Sequence, residues 1–470
     1  MPRRDEPLPI GRLRRSLPLA ALTARTIGGQ ASQWVRLRRA GEDERLAKEL
    51  ALHARQAQRY ADLMGGMKGA IMKLGQILSF VDSAGLIPDA YQQVWKDALA
   101  GLRADAPPMD PALVANVVQA ELGSPPDRVF AYFSPRPIAA ASIGQVHAAE
   151  LDDGTELAVK VQYPGVDQAI RSDLANTEAL AMVVKMALAM LPGFVPNLDV
   201  RSVVAEIAER VGEELDYRTE AANQQEFEAI YRDHPFIHIP HVFDELSSAR
   251  VLTMEMVDGR RWEAALESPK QLRDRWGEVI NRFVWASLER HGLFNADPHP
   301  GNYLFHEDGT VTFLDFGCVK RFTEEQRRKF NALPEAVIAG DAAALHRGFV
   351  ALGFLPAADR KVDEQRLLEW YRLAYEPMLA PQPYTYTKRF AADLVAAHYD
   401  PAGPWSDVIR RFDVPKDLVF LNRIVLGLES VLGALEATAD WCAIDEEIRT
   451  GAPPATDLGL QDHEWLVSRR

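Results

Sequence analysis

The 470-residue chain has few cysteines, no long apolar run and no excess of positive charge. Two cysteines, Cys318 and Cys442, cannot form a disulfide framework and are typical of a reducing compartment. No apolar run approaches the ~20 residues that span a bilayer. The nearest, from Ala179 to Val195, is interrupted by Lys185 and Pro192 and predicts a buried helix. With 53 basic and 67 acidic residues the net charge is −14, which excludes a nucleic-acid-binding role for the molecule as a whole.

The charge is unevenly distributed. Residues 1–40 contain nine Arg and no Lys, with only Asp5 and Glu6 as acids, so their charge is +7 and the remaining chain carries −21. There is no signal-peptide pattern, because the apolar stretch after Arg15 is short and broken by Pro18. Three interpretations of this leader stay open: a solvated, partly disordered segment, an organelle transit segment, or an arm that contacts anionic membranes. We therefore expect a cytoplasmic protein, with peripheral membrane contact or organelle import as the alternatives.

Hydrophobic periodicity predicts an α+β fold with four regions and no internal repeat. Residues 1–41 form the basic leader, and residues 42–123 have helical periodicity. Residues 124–258 alternate short strands with helices and are predicted to form a nucleotide-binding lobe. Residues 259–470 are mainly helical, with short strands around Tyr303–Phe305 and Val311–Leu314 and with C-terminal helices to which no motif can be assigned.

A loop of small residues and a hairpin open the nucleotide-binding lobe. The predicted strands Val146–Glu150 and Glu156–Val161 flank an Asp-Gly turn, and Lys160 lies in the second strand. Lys160 either faces solvent on a half-exposed sheet or points into a cleft. The preceding run favours a cleft, because small side chains let backbone amides approach a phosphate. The residues of that run predicted to contact the nucleotide are Ala140, Ala141, Ser142 and Gly144.

The strongest signal for chemistry lies between Phe294 and Gly317. Asp297 and Asn302 are five positions apart, and Asp315 follows Asn302 by thirteen residues in an Asp-Phe-Gly triplet. Phosphoryl transfer requires a carboxylate near the attacking oxygen and oxygen ligands for Mg²⁺. Asp297 suits the first role, and Asn302 and Asp315 suit the second. Each element alone is common turn chemistry, but their order and spacing after Lys160 predict a kinase-like protein.

Two further parts of such a site are predicted from position. A helical segment, Val200–Tyr231, carries acids that could pair with Lys160. Glu220 is the first choice, with Asp216 and Glu214 as alternatives, although most acidic helix faces are simply solvated. The strands Ile237–Val242 and Val251–Met256 follow, and the second ends where Glu255 and Val257 would present backbone groups to an adenine.

Across about residues 60–440 the sequence resembles the UbiB/AarF-type (aarF-domain) atypical kinases. Lys73-Leu74-Gly75-Gln76 matches that family's lysine–x–glycine–glutamine signature, and Ala139-Ala140-Ala141-Ser142 matches its alanine-rich loop. Glu214-Leu215-Asp216, followed by Glu220-Ala-Ala-Asn223, matches its glutamate–x–aspartate element. The Asp297–Asn302 and Asp315–Gly317 segments complete the set.

The resemblance implies a two-lobed protein-kinase-like fold with the helical extension packed over the active site. In that arrangement Lys73 and Gln76 are regulatory, and Lys73 meets Glu214 or Asp216 where a protein substrate would bind. The implied cofactors are ATP and Mg²⁺, and the implied partners are a nucleotide and a lipid or quinone-like small molecule. Only five residues separate Gly317 from the capping-box sequence Thr323-Glu-Glu-Gln326, which leaves no room for an extended activation loop.

We therefore expect an ATP-dependent phosphotransferase or ATPase that acts in quinone or isoprenoid-lipid metabolism. The first alternative is a nucleotide-binding pseudokinase regulator without turnover, against which the intact set of site residues argues. The second is a kinase of antibiotics or choline, which the Lys73 and Glu214 elements disfavour.

Overall fold

The structure is a computed structural model that describes residues 109–141, 143–166, 215–295, 299–356, 362–399, 403–412 and 419–469. The predicted leader and most of the predicted helical extension lie outside the described residues. So do five predicted site residues, namely Ser142, Asp297, Lys73, Gln76 and Glu214. Over the described residues the fold is a mixture of helices and mainly antiparallel sheets, as the sequence predicts.

The described helices are numbered here in chain order. They are α1 (Pro111–Leu122), α2 (Pro126–Val129), α3 (Tyr217–Ile230), α4 (Trp262–Leu266), α5 (Lys270–His291), α6 (Glu324–Ala339), α7 (Ala342–Ala351), α8 (Glu364–Arg372), α9 (Glu376–Leu379), α10 (Lys388–Tyr399), α11 (Ser406–Ile409), α12 (Val419–Leu435), α13 (Trp441–Thr450) and α14 (Asp457–Ser468).

The strands are short except for one hairpin. They are β1 (Tyr132–Phe133), β2 (Ala139–Ala140), β3 (Gly144–Glu150), β4 (Glu156–Gln162), β5 (Ile237–His238), β6 (Val251–Glu255), β7 (Leu293–Asn295), β8 (Tyr303–Phe305), β9 (Val311–Phe313), β10 (Val319–Arg321), β11 (Tyr384–Thr385) and β12 (Thr438–Ala439).

The chain divides into two compact units. Among the described residues, one unit contains those between 109 and 217 together with 246–253, and the other contains those within 218–245 and 254–469. In the first unit the strands follow the order β1-β3-β4-β6, and β2 pairs with β3. The predicted hairpin is confirmed, with Glu150 opposite Glu156 and Gly154 at a φ of 86° in the turn. A positive φ is tolerated best by glycine, so the Asp-Gly pair fixes where the hairpin reverses.

The second unit holds a three-stranded sheet in the order β5-β9-β8, in which β5 and β9 are parallel. The sequence predicts strands at both Ile237–Val242 and Val251–Met256. The structure keeps a shorter strand at each place but puts β5 and β6 in different sheets, leaving a single bridge between Val242 and Met254. Strand β5 pairs with β9 through only two residues, Ile237 and His238.

A buried network of charges anchors the C-terminal helices to α5. Arg282 is 1% exposed, donates to Glu278 and forms two hydrogen bonds of 2.9 Å to Glu447 of α13. Asp462 of α14 accepts a 2.8 Å hydrogen bond from Arg290 at the end of α5. Two-pronged contacts of this kind fix geometry as well as compensating buried charge. The C-terminal residues, which carry no assigned motif, are therefore part of the second unit's core.

No described helix has both the length and the apolar character that a bilayer crossing requires.

Candidate active site

The alanine-rich segment forms the tight end of a small hairpin. Ala139 and Ala140 of β2 pair with β3, and the Ala141 N–H donates to the Gly144 carbonyl at 3.0 Å. A Cβ added to Gly144 would lie 2.3 Å from the Val161 carbonyl oxygen. Glycine is required here because β4 approaches too closely for any side chain. Nucleotide contact by Ala140, Ala141 and Gly144 stays a prediction.

Lys160 lies in β4 opposite Val146, and its side chain is only 8% exposed. This burial argues against the solvent-facing alternative. The Lys160 Nζ lies 4.9 Å from the centre of the Tyr217 ring, within the range of a cation–π contact. No role was predicted for Tyr217. The one signal in the sequence was its place directly after Asp216, an alternative partner for Lys160. The Lys160–Glu220 ion pair stays a prediction, because the two residues belong to different compact units.

In the second unit the segment around Asp297 is tied to the Asp315 segment on both sides. The Asn295 side-chain amide donates to the Asp315 carbonyl at 2.9 Å. Beyond residues 296–298, the Asn302 carbonyl accepts from the Leu314 N–H at 2.9 Å. Asn295 and Asn302, which flank Asp297 in sequence, are therefore both bonded to residues 314–315; Asp297 itself lies outside the described residues.

The two predicted metal ligands lie at the same end of the β8–β9 hairpin. Tyr303 pairs with Phe313, so Asn302 precedes that pair by one residue and Asp315 follows it by two. One oxygen of the Asp315 carboxylate accepts from the Gly317 N–H at 2.9 Å. An amide oxygen and a carboxylate suit Mg²⁺, which prefers few protein ligands together with phosphate oxygens. Among the described residues no cluster of three or more His, Cys, Asp or Glu able to hold a metal occurs.

The helix that carries Glu220 is fastened to the Asp-Phe-Gly segment. The Asn223 side-chain amide donates to the Phe316 carbonyl at 2.9 Å, and Arg321 donates to the Asn223 amide oxygen at 3.0 Å. The Phe316 ring lies 5.0 Å from the Phe227 ring of the same helix. Glu220 itself is 4% exposed. Helix α3 and the Asp315 segment are thus held together by one polar and one aromatic contact.

The predicted adenine-binding residues lie at the end of β6. The Glu255 N–H donates to the His241 carbonyl at 2.8 Å, and the Glu255 carboxylate accepts from the His241 N–H at 3.2 Å. A hydrogen bond to His238 is the largest cause of a lowered pKa for Glu255. The Glu255 side chain is therefore engaged within the second unit. Adenine contact by the backbones of Glu255 and Val257 stays a prediction.

The family model of the ABC1 atypical kinase-like domain matches residues 101–348, more than half of the chain. The chain belongs to the ABC1 atypical kinase-like family. The match covers every predicted site residue from Lys160 to Asp315, and it confirms the resemblance inferred from the sequence motifs.

The curated relatives include chloroplastic and mitochondrial proteins. A chloroplastic aarF domain-containing protein kinase of Arabidopsis thaliana is 33% identical over 339 residues, which cover 71% of this chain and 46% of that protein. The mitochondrial atypical kinase COQ8B of Rattus norvegicus is 32% identical over 70% of this chain and 60% of that protein. The chain thus matches about half the length of these relatives.

A solved structure extends the comparison to most of the fold. The chain Rv3197 of Mycobacterium tuberculosis, solved as a complex with erythromycin, is 30% identical and has a TM-score of 0.60. The comparison covers 87% of this chain and 98% of that chain. The fold is therefore the kinase-like fold of the ABC1 family.

Two contacts within the candidate active site were not predicted from the sequence. Asn295 occupies the position before the catalytic segment where protein kinases have a histidine, and the structure bonds its amide to the Asp315 carbonyl. Asn223 was noted only as part of a family motif, and the structure shows that it bonds to the Phe316 carbonyl. The only signal for these two contacts in the sequence was an Asn close to a catalytic motif, whose side-chain amide can donate a hydrogen bond to a backbone carbonyl.

Proposed function

We propose that the chain is an ATP-binding atypical kinase or ATPase of the UbiB type. The observation that carries the proposal is the pair of hydrogen bonds that tie Asn295 and Asn302, the described residues on either side of Asp297 in sequence, to residues 314–315. This brings Asn295 and the predicted metal ligands Asn302 and Asp315 to one end of the β8–β9 hairpin, and the predicted base Asp297 lies between Asn295 and Asn302 in sequence. Phosphoryl transfer depends mainly on such positioning and on charge stabilisation.

Each residue has a distinct role in the proposal. Lys160 binds the nucleotide phosphates, and Glu220 orients Lys160. Asp297 accepts the proton of the attacking hydroxyl or positions water. Asn302 and Asp315 hold Mg²⁺, which when bound neutralises charge on the phosphates. Lys73, Gln76, Glu214 and Asp216 are proposed to regulate access to this site.

The acceptor is proposed to be a lipid or small molecule of quinone or isoprenoid metabolism, or water, and not a protein. The segment after Gly317 supports this, because the chain enters β10 at Val319 and α6 at Glu324. The capping box predicted for α6 is present in both halves, with Thr323 and Gln326 exchanging hydrogen bonds. No extended activation loop separates these elements, so a docking platform for a protein substrate is missing from this segment.

An ATPase assay with Mg²⁺ tests the proposal, run with and without anionic liposomes and quinone-like phenols. We expect Asp315→Asn to reduce turnover about a hundredfold, because it removes a metal-binding charge. Asp308→Asn is the matched control, since Asp308 caps the turn of the same hairpin at Thr310. We expect Lys160→Ala to abolish productive nucleotide binding.

Each outcome separates the alternatives. Nucleotide binding by the wild type without turnover would favour the regulator without catalysis. Equal turnover in Asp315→Asn and wild type would contradict the proposed metal site. Unchanged nucleotide affinity in Lys160→Ala would contradict the role of that lysine.

A further inference from the structure

A second site is suggested by a cavity of about 140 Å³ that lies wholly within the second unit. Ten of its 26 lining residues are Phe, Tyr or Trp. Several lie deep in the core: Phe349, Trp370 and Trp441 are each 3% exposed or less. The residues of the nucleotide site do not line it, so it is a separate feature from the proposed active site.

Two of the lining indoles, Trp370 and Trp441, have their N–H groups already bonded to backbone carbonyls. The Trp370 indole N–H donates to the Ala397 carbonyl at 2.9 Å, and the Trp441 indole N–H donates to the Tyr384 carbonyl at 2.9 Å. The polar end of each indole is thus satisfied by the backbone. The face of each indole ring is electrostatically negative and attracts cations.

Glu429 of α12 lines the cavity with these rings, and no described ion pair balances its charge. It is 4% exposed and shares a hydrogen bond with Tyr386, while its Oε2 is buried without a hydrogen-bond partner. None of the ion pairs among the described residues includes Glu429. Burial raises its pKa to about 8, so the carboxyl is protonated at neutral pH.

His398 of α10 adds a second acceptor to the lining. Its Nδ1 lies 2.8 Å from the Leu394 carbonyl, which can only accept, so Nδ1 carries the proton and Nε2 is the acceptor. Burial lowers the pKa of His398 to about 4, so the ring is neutral.

The remaining charged groups of the lining leave it short of positive charge. Asp445 is neutralised by Arg449, whose guanidinium lies 2.7 Å from it, and Glu289 accepts from Asn331 at 2.7 Å. The lining therefore has three carboxyl groups and one guanidinium. The titratable and charged groups that line the cavity with Glu429 are Glu289, Tyr371, Tyr375, Tyr386, His398, Asp445 and Arg449; Tyr384, which donates to Glu376, also lies within electrostatic range of Glu429.

We propose that this cavity binds a lipophilic organic cation, a quaternary or protonated amine with apolar substituents. The cation lies against the aromatic faces, and Glu429 ionises beside it and releases its proton to solvent. No covalent bond changes. The ligand supplies the positive charge that the buried carboxyl lacks, which is the condition under which a buried carboxylate becomes stable.

The test compares benzyltrimethylammonium with its uncharged isostere neopentylbenzene, using calorimetry on the full chain from pH 6 to pH 9. We expect the cation to bind more tightly by about tenfold per pH unit between pH 6 and pH 8, and then to level off. About one proton should be released per cation at pH 6 to 7, measured in two buffers of different ionisation enthalpy. The neutral isostere should bind weakly and without proton release.

Glu429→Gln keeps the shape of the side chain but cannot ionise. We expect it to weaken cation binding at least about tenfold at pH 8 and to abolish its pH dependence, leaving the isostere unchanged. Glu464→Gln, the same substitution at an exposed position of α14, should behave as wild type.

The proposal is overturned by any of three results: no cation binding, an isostere that binds as tightly as the cation at pH 8, or undiminished cation binding in Glu429→Gln. Proton release by the wild type needs no variant, so the proposal is still tested if Glu429→Gln does not fold. The assay contains no nucleotide, which keeps its outcome separate from that of the ATPase assay.

Discussion

Burial shifts the pKa values of Glu429 and His398 in opposite directions and leaves both side chains uncharged at neutral pH. It raises the pKa of the carboxyl to about 8 and lowers the pKa of the imidazole to about 4. In each case the charged form is disfavoured because water is excluded. Their effects on stability therefore have opposite signs with pH. His398 contributes stability that is lost as pH falls from 6.5 through 4, whereas Glu429 contributes stability that is lost as pH rises from 4.5 through 8.

We expect Glu429→Gln to stabilise the protein increasingly as pH rises from 5 to 8. In that window the folded wild type retains a proton that the unfolded chain has released, so its free energy of unfolding falls with pH. The total difference is on the order of 5 kcal/mol, from a shift between 4.5 and about 8 at about 1.4 kcal/mol per pKa unit. Urea denaturation at each pH measures it. A difference between the two proteins that does not change with pH would contradict the protonated carboxyl.

Two side-chain amides act between elements of the candidate active site. Asn295 at the end of β7 and Asn223 in α3 each donate to a carbonyl of the Asp-Phe-Gly segment, at Asp315 and Phe316 respectively. A carbonyl held in this way fixes the peptide plane and thereby the direction in which the Asp315 side chain leaves the backbone. The segment is therefore oriented from two separate elements of the second unit.

We expect Asn295→Ala to lower kcat by about tenfold with little change in nucleotide affinity. The lost hydrogen bond contributes about 1 kcal/mol to stability, but its larger effect is on the position of the metal-binding carboxylate. Asn223→Ala should act in the same direction. Asn331→Ala is the matched control, because its amide bonds to Glu289 outside this segment.

ATPase kinetics and thermal melts of these variants distinguish positioning from unfolding. If the fall in kcat follows the fall in melting temperature in all three variants, the positioning role is wrong. If kcat falls only in the two variants at the Asp-Phe-Gly segment, it is confirmed.

The sequence predicted what depends on nearby residues. The β3–β4 hairpin follows from the Asp-Gly turn, and the α6 capping box follows from Thr323 and Gln326 three positions apart. Contacts between distant segments were not predicted, such as Asn223 with Phe316 and Arg282 with Glu447. Period and spacing specify which face of an element is buried, but they do not specify which partner it meets.

The Glu429 cavity shows the same limit at a functional site. A single acid in the apolar stretch from Val425 to Leu432 was a signal that a buried carboxyl exists. Nothing in the spacing indicated that Trp370 and Trp441 would line the same cavity, because these rings come from other helices.

For the molecule as a whole, charge is divided between a basic leader and an acidic remainder. Residues 1–40 carry +7 and the rest carries −21. An anionic membrane repels the acidic part and attracts the leader, with about 1 kcal/mol for each basic residue near the surface. The leader is thus the part of the chain on which the proposed peripheral membrane contact depends.

We expect deletion of residues 1–40 to reduce binding to phosphatidylserine vesicles at least about tenfold. Binding of the full chain should weaken as salt is raised, because exposed charges are screened. Vesicle sedimentation measures both, and neutral phosphatidylcholine vesicles are the control. Equal binding and equal salt sensitivity after the deletion would show that the leader is not the membrane contact.

The parallel pairing of β5 with β9 bears on the order in which the second unit forms. The two strands meet through residues 74 positions apart, as at His238 and Thr312, whereas β8 and β9 are joined by a short turn. Closing the longer loop costs about 2 kcal/mol more in chain entropy than closing the hairpin. Loop entropy therefore favours pairing of β8 with β9, the hairpin that ends at Asn302 and Asp315, over pairing of β5 with β9, and we expect β5 to join this sheet after the hairpin has formed.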